Sequence, residues 1–420
     1  MGVKAKAQAI PGHQISVEDQ HRLEVDGLLP SKIMQPEDAD DAARGLRLCD
    51  LTPAAVVVWG GGTQMRLGST PRRYDVAFST DRMSRLLEYE PADLTCRVES
   101  GMRLAELQAQ LAAQGQRLPL DPPHPQRATI GGMVAANTSG LSRARYGTVR
   151  DWVIGIAVAY PSGKVARAGG KVVKNVAGYD LMKLHIGALG TLGVVAEVNL
   201  KVQARPEAAA TMLGHFEAPQ PAIEAGLRLA RQYLAPASAI VVDRNALWAC
   251  GFTADWRWTL ALKLEGYLRE VDAAKDVAAR AIREAGGRTE GQDIPVGFWE
   301  AARDWSSSTD DSVLLRAIVP LNGVAGIMAT LPAEGHVLAQ PAAGIVEVRV
   351  PAALVAAALG RLRGAAGDDG QVIVASALAS VKQTLDVWGP PPPGFPIMRA
   401  LKQSLDPNGI LNPGRFVGGI

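Results

Sequence analysis

The apolar positions in the first part of the chain predict strands that alternate with short helices. A short strand at Ile33 is followed by an acidic helix that begins at Pro36 and ends near Cys49. The apolar run at 54–59 has a β-branched centre, which is typical of a buried strand. Short strands are also expected near 75–79 and 94–98. This pattern predicts a mixed α+β unit.

The same unit continues through a helix and a hairpin. Leu104, Leu107 and Leu111 recur at the spacing of one helical face, which predicts a helix at 103–114. Farther on, Pro-Ser-Gly at 161–163 lies between two apolar runs and predicts the turn of a hairpin. The apolar pattern of this first unit ends near Val202.

The pattern changes after residue 205. Alanine-rich helical patterns at 222–234, 273–286 and 353–367 alternate with strand patterns, which lie at 256–266, 312–320 and 344–350. Such an alternation, with strands of this length, predicts a separate α+β domain built on an antiparallel sheet.

These changes of pattern divide the chain into four parts. An N-terminal arm occupies 1–30, a first domain 31–205, a second domain 206–388 and a C-terminal segment 389–420. The arm is interpreted as a weakly ordered segment or a first helix, without a function assigned to it. The proline run that opens the C-terminal segment predicts a rigid linker.

Composition and charge exclude several classes of function. The 420 residues are 47% hydrophobic and 20% charged, and their formal net charge of +2 does not favour nucleic acid or an anionic membrane. The sequence contains neither a secretory signal nor an apolar stretch long enough for a membrane span, so we expect a cytoplasmic protein. The isolated Cys49, Cys96 and Cys250 form no C-x-x-C pair, and we interpret them as buried, inert thiols rather than ligands of zinc or an iron–sulfur cluster.

The strongest local signal is a run of glycines directly after a buried strand. Gly60, Gly61 and Gly62, followed by Thr63, let backbone N–H groups converge on an anion without obstruction by side chains. A bulky residue at Gly61 is expected to remove both freedom in φ and close approach. The run favours a diphosphate site, but a tight turn fits it equally well.

Two common nucleotide-binding motifs are excluded. The Gly-Lys pairs at 163–164 and 170–171 are both followed by valine, so neither is a P-loop. A dinucleotide-binding turn would open a helix after the glycines, whereas 64–68 continues as a loop.

Five motifs in a fixed order carry a more specific resemblance. They are WGGGT, ATIGGMVAANTSG, RYGTVRDWVIGI, GGKVVKNVAGYDLMKL and GALGTLGVVAEVNLKV. Together they resemble the PCMH-type FAD-binding domain of the vanillyl-alcohol-oxidase family over about 33–205, and the tail LDPNGILNPGRF resembles that family's C-terminus. Within the family, DPPH combined with GGKVVKNVAGYDL is most similar to the FAD-binding subunits of glycolate oxidases.

The resemblance implies an α+β fold in which a two-subdomain FAD-binding domain is followed by a cap domain with an antiparallel sheet. The C-terminal segment then returns to the FAD-binding domain. It also implies a set of residues that bind FAD without a covalent bond, namely Gly60, Gly61, Gly62, Thr63, Gln64, Pro123, Thr129, Gly131, Gly132, Asn137, Gly140, Arg145, Tyr146, Asn175, Gly178, Tyr179, Gly190, Gly193, Val194 and Val195.

Roles within this set follow from the family. The loop 60–64 would hold the diphosphate, 129–132 would lie against the isoalloxazine ring, and 190–195 would pass beside the adenine. Asn175, Gly178 and Tyr179 would approach the ring or the ribityl chain, although Asn175 and Tyr179 are equally well explained as hydrogen-bonded framework.

Four further residues near these motifs have two interpretations each. Arg145 and Lys174 would attract the cofactor's negative charge or lie solvated at the surface. His124, in a proline-rich loop, and His185, in an apolar run, are interpreted as residues that shape a turn and pack in the core rather than as flavin attachment points.

The cap lacks the histidines that would make this chain a typical stand-alone enzyme. Stand-alone 2-hydroxyacid dehydrogenases of the family share an H-G-D-G-N-x-H element and a Glu-His pair that bind a metal, and in the cap of this chain only His215 and His336 occur. The resemblance therefore implies a flavin subunit of an oxidoreductase acting on CH–OH groups. A sister FAD- and metal-containing subunit would oxidise glycolate to glyoxylate, and an iron–sulfur subunit would accept the electrons. Such a complex could lie at the inner face of the membrane through its partners.

Two alternatives remain open. The chain would be a self-sufficient FAD-dependent D-2-hydroxyacid dehydrogenase if Arg303, Arg316 or Lys382 bound the substrate carboxylate. It would be a scaffold with a degenerate flavin site if the departures at Trp59 and at 188–189 prevented FAD binding.

Overall fold

The protein is described here by a computed structural model that covers residues 9–170, 180–252, 255–289, 294–307 and 312–420. Within these ranges the helices are Val17–Arg22, Ala39–Leu51, Leu104–Ala112, Ile130–Ala136, Arg143–Tyr146, Val149–Trp152, Met182–His185, Pro219–Ala230, Arg244–Ala249, Leu268–Glu284, Phe298–Asp304, Val324–Ala329, Val355–Ala366, Ala379–Lys382 and Phe395–Leu405.

The strands before residue 205 form two main sheets in the described part of the chain. The first has four strands, in the spatial order His13–Gln14, Lys32–Met34, Val76–Ser79 and Val56–Trp59. The second has five antiparallel strands, in the order Leu86–Glu90, Thr95–Glu99, Val194–Lys201, Val153–Ala159 and Val165–Gly169. A short pair, Gln116–Arg117 with Gln203–Ala204, lies apart from them.

A seven-stranded antiparallel sheet occupies the region after residue 205. Its order is Ala208–Phe216, Trp258–Gly266, Ser238–Asp243, His336–Gln340, Ile345–Val350, Val313–Ile318 and Gln371–Ser376. The predicted α+β class with an antiparallel cap sheet is therefore confirmed. We propose residue 205 as the boundary between the two domains.

The local sequence explains where the predicted elements begin. The acidic helix starts at Ala39 rather than at Pro36, because the Asp38 carboxylate accepts a hydrogen bond from the N–H of Asp41 and caps the helix. In the helix Leu104–Ala112, all three apolar positions of the predicted face are buried. Burial of each leucine contributes about 1.5–3 kcal/mol to folding.

Period-2 alternation gives the cap sheet two different faces. Leu260 and Leu262 point into a core that is covered by the long helices Pro219–Ala230, Leu268–Glu284 and Val355–Ala366. The opposite face, on which Ala261 lies, is covered by short helices and by Leu141 of the first domain. This second face is the side of the cap sheet that faces the first domain.

The prediction that the cysteines are buried is confirmed. Cys49, Cys96 and Cys250 are buried and free, and burial raises the pKa of each thiol to about 12. None of the helices in the described ranges combines the length and the apolar character that a membrane crossing requires.

A buried ion pair joins the two domains. Arg117 donates to the carboxylate of Glu265 over 2.7 Å, and both also bond to the Tyr146 hydroxyl. Burial alone would raise the pKa of Glu265, but the hydrogen bond from Arg117 and the charge of Lys263 outweigh it and lower the pKa to about 2. The pair is therefore ionised at neutral pH.

We predict that Glu265→Gln lowers the free energy of unfolding at pH 7 by about 3 kcal/mol, because it leaves the buried Arg117 cation without its carboxylate. Since the folded pKa of Glu265 is about 2 and its ordinary value is 4.5, this contribution is complete above pH 4.5. The difference between variant and parent should then shrink as the pH falls toward 2. Urea unfolding at several pH values measures it.

Glu284→Gln is the matched control, since Glu284 pairs with Arg228 at the surface and is 45% exposed. We expect this control to cost less than about 1 kcal/mol. Equal losses in the two variants would contradict the assigned role of Glu265.

Candidate functional site

The glycine loop leaves no room for side chains on the side that faces the protein. A Cβ atom at Gly61 would lie 1.6 Å from the carbonyl oxygen of Arg127. At Gly62 the backbone has a φ of +71°, and a Cβ there would lie 2.9 Å from the Trp59 ring. The φ of Gly61 is not positive, so the expectation that this residue needs freedom in φ was wrong. Close packing alone requires glycine at position 61.

The backbone N–H groups of this loop have no partner among the residues that the structure describes. In the described ranges, no acceptor receives a hydrogen bond from the backbone N–H groups of 60–64, although Leu67 donates to the Gln64 carbonyl immediately afterwards. Half-buried N–H groups are rarely left without a partner, because each one loses a hydrogen bond to water. A tight turn would have used some of them internally, so the arrangement favours an anion-binding loop.

The loop forms one wall of a cavity whose empty space, including the part open to solvent, is about 820 Å³. Thr129 stands at the beginning of a helix, where its hydroxyl accepts a hydrogen bond from the N–H of Gly132 over 3.2 Å. The strand that begins at Val194 supplies another wall. The residues of the predicted set that line this cavity are Gly60, Gly61, Gly62, Thr63, Gln64, Thr129, Gly131, Gly132, Gly190, Gly193, Val194 and Val195.

The C-terminal segment holds two walls of this cavity together. The side chain of Asn412 accepts from the N–H of Val58, before the glycine loop, and donates to the carbonyl of Leu189 over 2.8 Å. Arg415, which is buried, donates to the carbonyls of Met65 and Leu67. Neither residue was predicted as part of the site from the sequence, although both lie in the LNPGRF motif of the tail.

Trp59 and His185 also line the cavity, and both are held by hydrogen bonds. The Trp59 indole donates to the Tyr74 hydroxyl over 2.7 Å, and Tyr74 donates to the carbonyl of Leu23 in the N-terminal arm. The His185 ring lies 2.8 Å from the Tyr160 hydroxyl. Because burial lowers the pKa of His185 to about 4, its imidazole is neutral at pH 7.

A second cavity, whose empty space including the part open to solvent is about 1110 Å³, adjoins the first and shares Ala136 and Leu189 with it. It lies between the first domain and the second face of the cap sheet. Pro123, Asn137 and Gly140 of the predicted set line this second cavity and not the first. Gly140 has a structural reason to be glycine, since a Cβ would lie 2.1 Å from the carbonyl oxygen of Asp121.

Arg145 and Tyr146 lie outside both sets of lining residues. Arg145 donates to the carbonyls of Ala235 and Glu265, and the Tyr146 hydroxyl bonds to the Glu265 carboxylate. The geometry thus places both at the contact with the cap rather than at the cavity. Arg145 therefore binds the main chain of Glu265 and Tyr146 binds its side chain, although Glu265 is far away in the sequence.

Two other expectations concern His124 and Lys382. His124 contacts the cap, where its N–H donates to Asp304 and its ring bonds to the Ser307 hydroxyl over 2.7 Å. Lys382 is buried and forms an ion pair of 2.9 Å with Asp26 of the N-terminal arm. The structure does not support a role for Lys382 in binding a substrate carboxylate, because Lys382 lies outside the lining of both cavities and Asp26 already holds its ammonium group.

Some sequence predictions lie outside the residues that the structure describes. They concern Asn175, Gly178, Tyr179 and Lys174. Among the described residues, no three His, Cys, Asp or Glu side chains are grouped as a metal site would require.

Comparison with known families agrees with this geometry. Residues 30–169 match the family described as "FAD binding domain", and 390–416 match "FAD linked oxidases, C-terminal domain". These matches include the glycine loop, the helix capped by Thr129 and the tail with Asn412 and Arg415. The chain is a flavoprotein of the PCMH-type FAD-binding class, and its cofactor is FAD.

Individual relatives place the chain more closely. It is 30% identical over 382 residues to glycolate oxidase subunit GlcE of Escherichia coli (strain K12), which covers 88% of this chain and 94% of that protein. It is 32% identical over 219 residues to glycolate oxidase subunit GlcD of Bacillus subtilis (strain 168), and this match spans 52% of the chain but only 47% of that protein. The chain therefore belongs to the FAD-linked oxidoreductase family that contains these subunits.

Solved structures share the fold at low sequence identity. p-Cresol methylhydroxylase with substrate bound superimposes with a TM-score of 0.70 at 16% identity, over 92% of this chain and 88% of that one. Alkyldihydroxyacetonephosphate synthase gives a TM-score of 0.68 at 17% identity, over 96% of this chain and 80% of that one.

We predict that Gly61→Ala weakens FAD retention at least about 10-fold. The added methyl group must push the loop away from the Arg127 carbonyl, and this movement also displaces the free N–H groups. FAD affinity is measured by titrating the apoprotein and following flavin fluorescence. The control is Gly364→Ala, at a helical glycine whose Cβ would meet no atom within 4 Å. Unchanged FAD affinity in the Gly61 variant would mean that the loop does not hold the diphosphate.

Proposed function

We propose that the chain is the FAD-binding subunit of a glycolate (2-hydroxyacid) oxidase complex. The observation that carries this proposal is the similarity to GlcE, which extends over nearly the full length of both proteins. In the complex, a sister flavin- and metal-containing subunit oxidises glycolate to glyoxylate. An iron–sulfur subunit takes up the two electrons.

The residues around the first cavity fit the cofactor in the proposed roles. The free N–H groups of 60–64 would hold the diphosphate, the segment at 129–132 would lie beside the isoalloxazine ring, and 190–195 would lie beside the adenine. Bound FAD would supply the capacity to accept a hydride equivalent from a carbon that carries a hydroxyl group. The protein's own contribution is to hold the cofactor and to keep the His185 imidazole neutral beside it.

We propose that FAD is bound without a covalent bond. His185 is the histidine among the cavity's described lining residues, and its ring is engaged with the Tyr160 hydroxyl. His124 bonds instead to the cap through Ser307. Acid precipitation of the reconstituted protein should leave a colourless pellet and a yellow supernatant, whereas a yellow pellet would contradict this part of the proposal.

The second cavity supports one alternative function. Arg303 and Arg316, two residues considered for a substrate carboxylate, line this cavity next to the FAD cavity. In this alternative the chain itself oxidises a D-2-hydroxyacid. Two relatives are named D-lactate dehydrogenase and D-2-hydroxyglutarate dehydrogenase.

One experiment separates the candidates. The chain is purified alone and as part of its co-purified complex, each is reconstituted with FAD, and the reduction of a dye by glycolate and by D-lactate is measured. We predict that the isolated chain becomes yellow but reduces no dye, while the complex reduces dye with glycolate. Iron and flavin counts on the complex identify the partner subunits.

The other outcomes decide against the proposal. Dye reduction by the isolated chain would favour the self-sufficient dehydrogenase. A chain that takes up no FAD at all would favour the scaffold.

A further inference from the structure

The N-terminal arm carries a buried carboxylate on a tight turn. Asp26 and Gly27 form the two central residues of this turn, in which the N–H groups of Val25 and Leu28 each donate to the other residue's carbonyl over 3.0 Å. Both central residues have positive φ, +51° at Asp26 and +84° at Gly27, as a turn of this type requires. The Asp26 side chain is 6% exposed and pairs with the ammonium group of Lys382 in the cap.

Two arginines lie near this ion pair. Arg415 is 5% exposed and donates to the two carbonyls that flank Arg66 along the chain. Burial lowers the pKa of Lys382, Asp26 raises it in part, and the charges of both arginines lower it again. These four side chains therefore form one group, the arm cluster, which consists of Asp26, Arg66, Lys382 and Arg415.

Positive charge is in excess in the arm cluster. Among the described residues, only Asp26 forms an ion pair with one of its cations, and three cations with one carboxylate leave two positive charges in excess. The Nη1 atom of Arg66 and the Nε atom of Arg415 are buried and have no hydrogen-bond partner in the described ranges. Like charges that are withdrawn from water repel one another, and a nearby anion lowers that cost.

The arm cluster borders the wall of the FAD cavity that carries the glycine loop. Arg415 lines this cavity, and Arg66 follows the loop 60–64 by two residues. Lys382 and Asp26 lie outside the lining, so they can act on a bound ligand only through their charge. Each phosphate of a dinucleotide carries a negative charge at neutral pH. A diphosphate held by the loop would therefore balance the excess charge of the cluster.

We propose that the arm cluster supplies the counter-charge of the FAD diphosphate, with Lys382 adding a cation and Asp26 limiting the excess to what the diphosphate neutralises. The N-terminal arm thereby takes part in cofactor binding, although Asp26 precedes the residues that match the FAD-binding domain. The inference rests on the proposed function, since it assumes that the diphosphate of FAD lies at the loop 60–64.

Lys382→Met in the full chain tests the contribution of the cation. We expect it to weaken FAD binding about 10-fold, because the attraction between the diphosphate and a buried positive charge is lost. FAD affinity is measured by titrating the apoprotein and following flavin fluorescence, and circular dichroism shows that each variant is folded. Lys275→Met, which removes a surface lysine paired with Asp272, is the matched control and should bind FAD as the parent does.

Asp26→Asn tests the sign of the effect. It removes the carboxylate and keeps the turn, because Asn-Gly suits positive φ as well as Asp-Gly does. This variant should unfold at a lower urea concentration, since Lys382 loses its partner, yet bind FAD no more weakly than the parent. The double variant with Asp26→Asn and Lys382→Met has the parent's excess charge, so its FAD affinity should return to that of the parent. A purely structural ion pair predicts weaker FAD binding in all three variants.

The remaining outcomes separate this inference from the proposed function. Weaker FAD binding by Asp26→Asn, or a double variant no better than Lys382→Met, would overturn the inference alone, and so would equal FAD affinity in Lys382→Met and the Lys275→Met control. Failure of the parent chain to take up FAD would overturn both. Dye reduction by the isolated chain, with FAD affinity that still follows the charge of the cluster, would overturn the proposed function alone.

Discussion

The close contact between Gly61 and the Arg127 carbonyl is the constraint on which the rest of the site depends. A Cβ atom at Gly61 would lie 1.6 Å from that oxygen, so only a residue without a side chain fits at this position. Once it is seated, the N–H groups of 60–64 have no acceptor in the described part of the protein. We propose that the diphosphate of FAD supplies the missing acceptors.

The two ends of the chain keep this loop in place. The tail reaches it through Asn412, which bonds on one side to Val58 and on the other to Leu189, and through Arg415 at the loop's far end. The N-terminal arm reaches it through the chain of hydrogen bonds from Leu23 to Tyr74 to Trp59. Trp59 thus packs against the loop, and this placement favours an intact flavin site over a degenerate one.

The cap contributes polar residues to a cavity and does not only cover the first domain. Because side chains alternate between the two faces of its sheet, one face packs into the helix-covered core and the other contacts the first domain. Glu265 accepts hydrogen bonds at this contact from Arg117, Arg145 and Tyr146. In the space beside this contact lie the guanidinium of Arg143 and the side-chain oxygen of Gln340, which have no hydrogen-bond partner among the described residues. The chemical character of the domain boundary therefore depends on which polar groups find a hydrogen-bond partner in the contact and which do not.

Sequence by itself determined the features that depend on neighbours along the chain. Apolar periodicity predicted the α+β class, the antiparallel cap sheet and the glycine loop, because strands, helices and side-chain-free loops are set by local pattern. FAD as cofactor was implied by the resemblance of the ordered motifs to a known family. The tertiary structure decided which residues that are far apart in the sequence come into contact. Arg145 and Tyr146 bond to Glu265, Lys382 pairs with Asp26, and Asn412 bridges two loops of the cavity. Such pairs are separated by at least 100 positions, and no local pattern encodes which polar group will neutralise another once both are withdrawn from water.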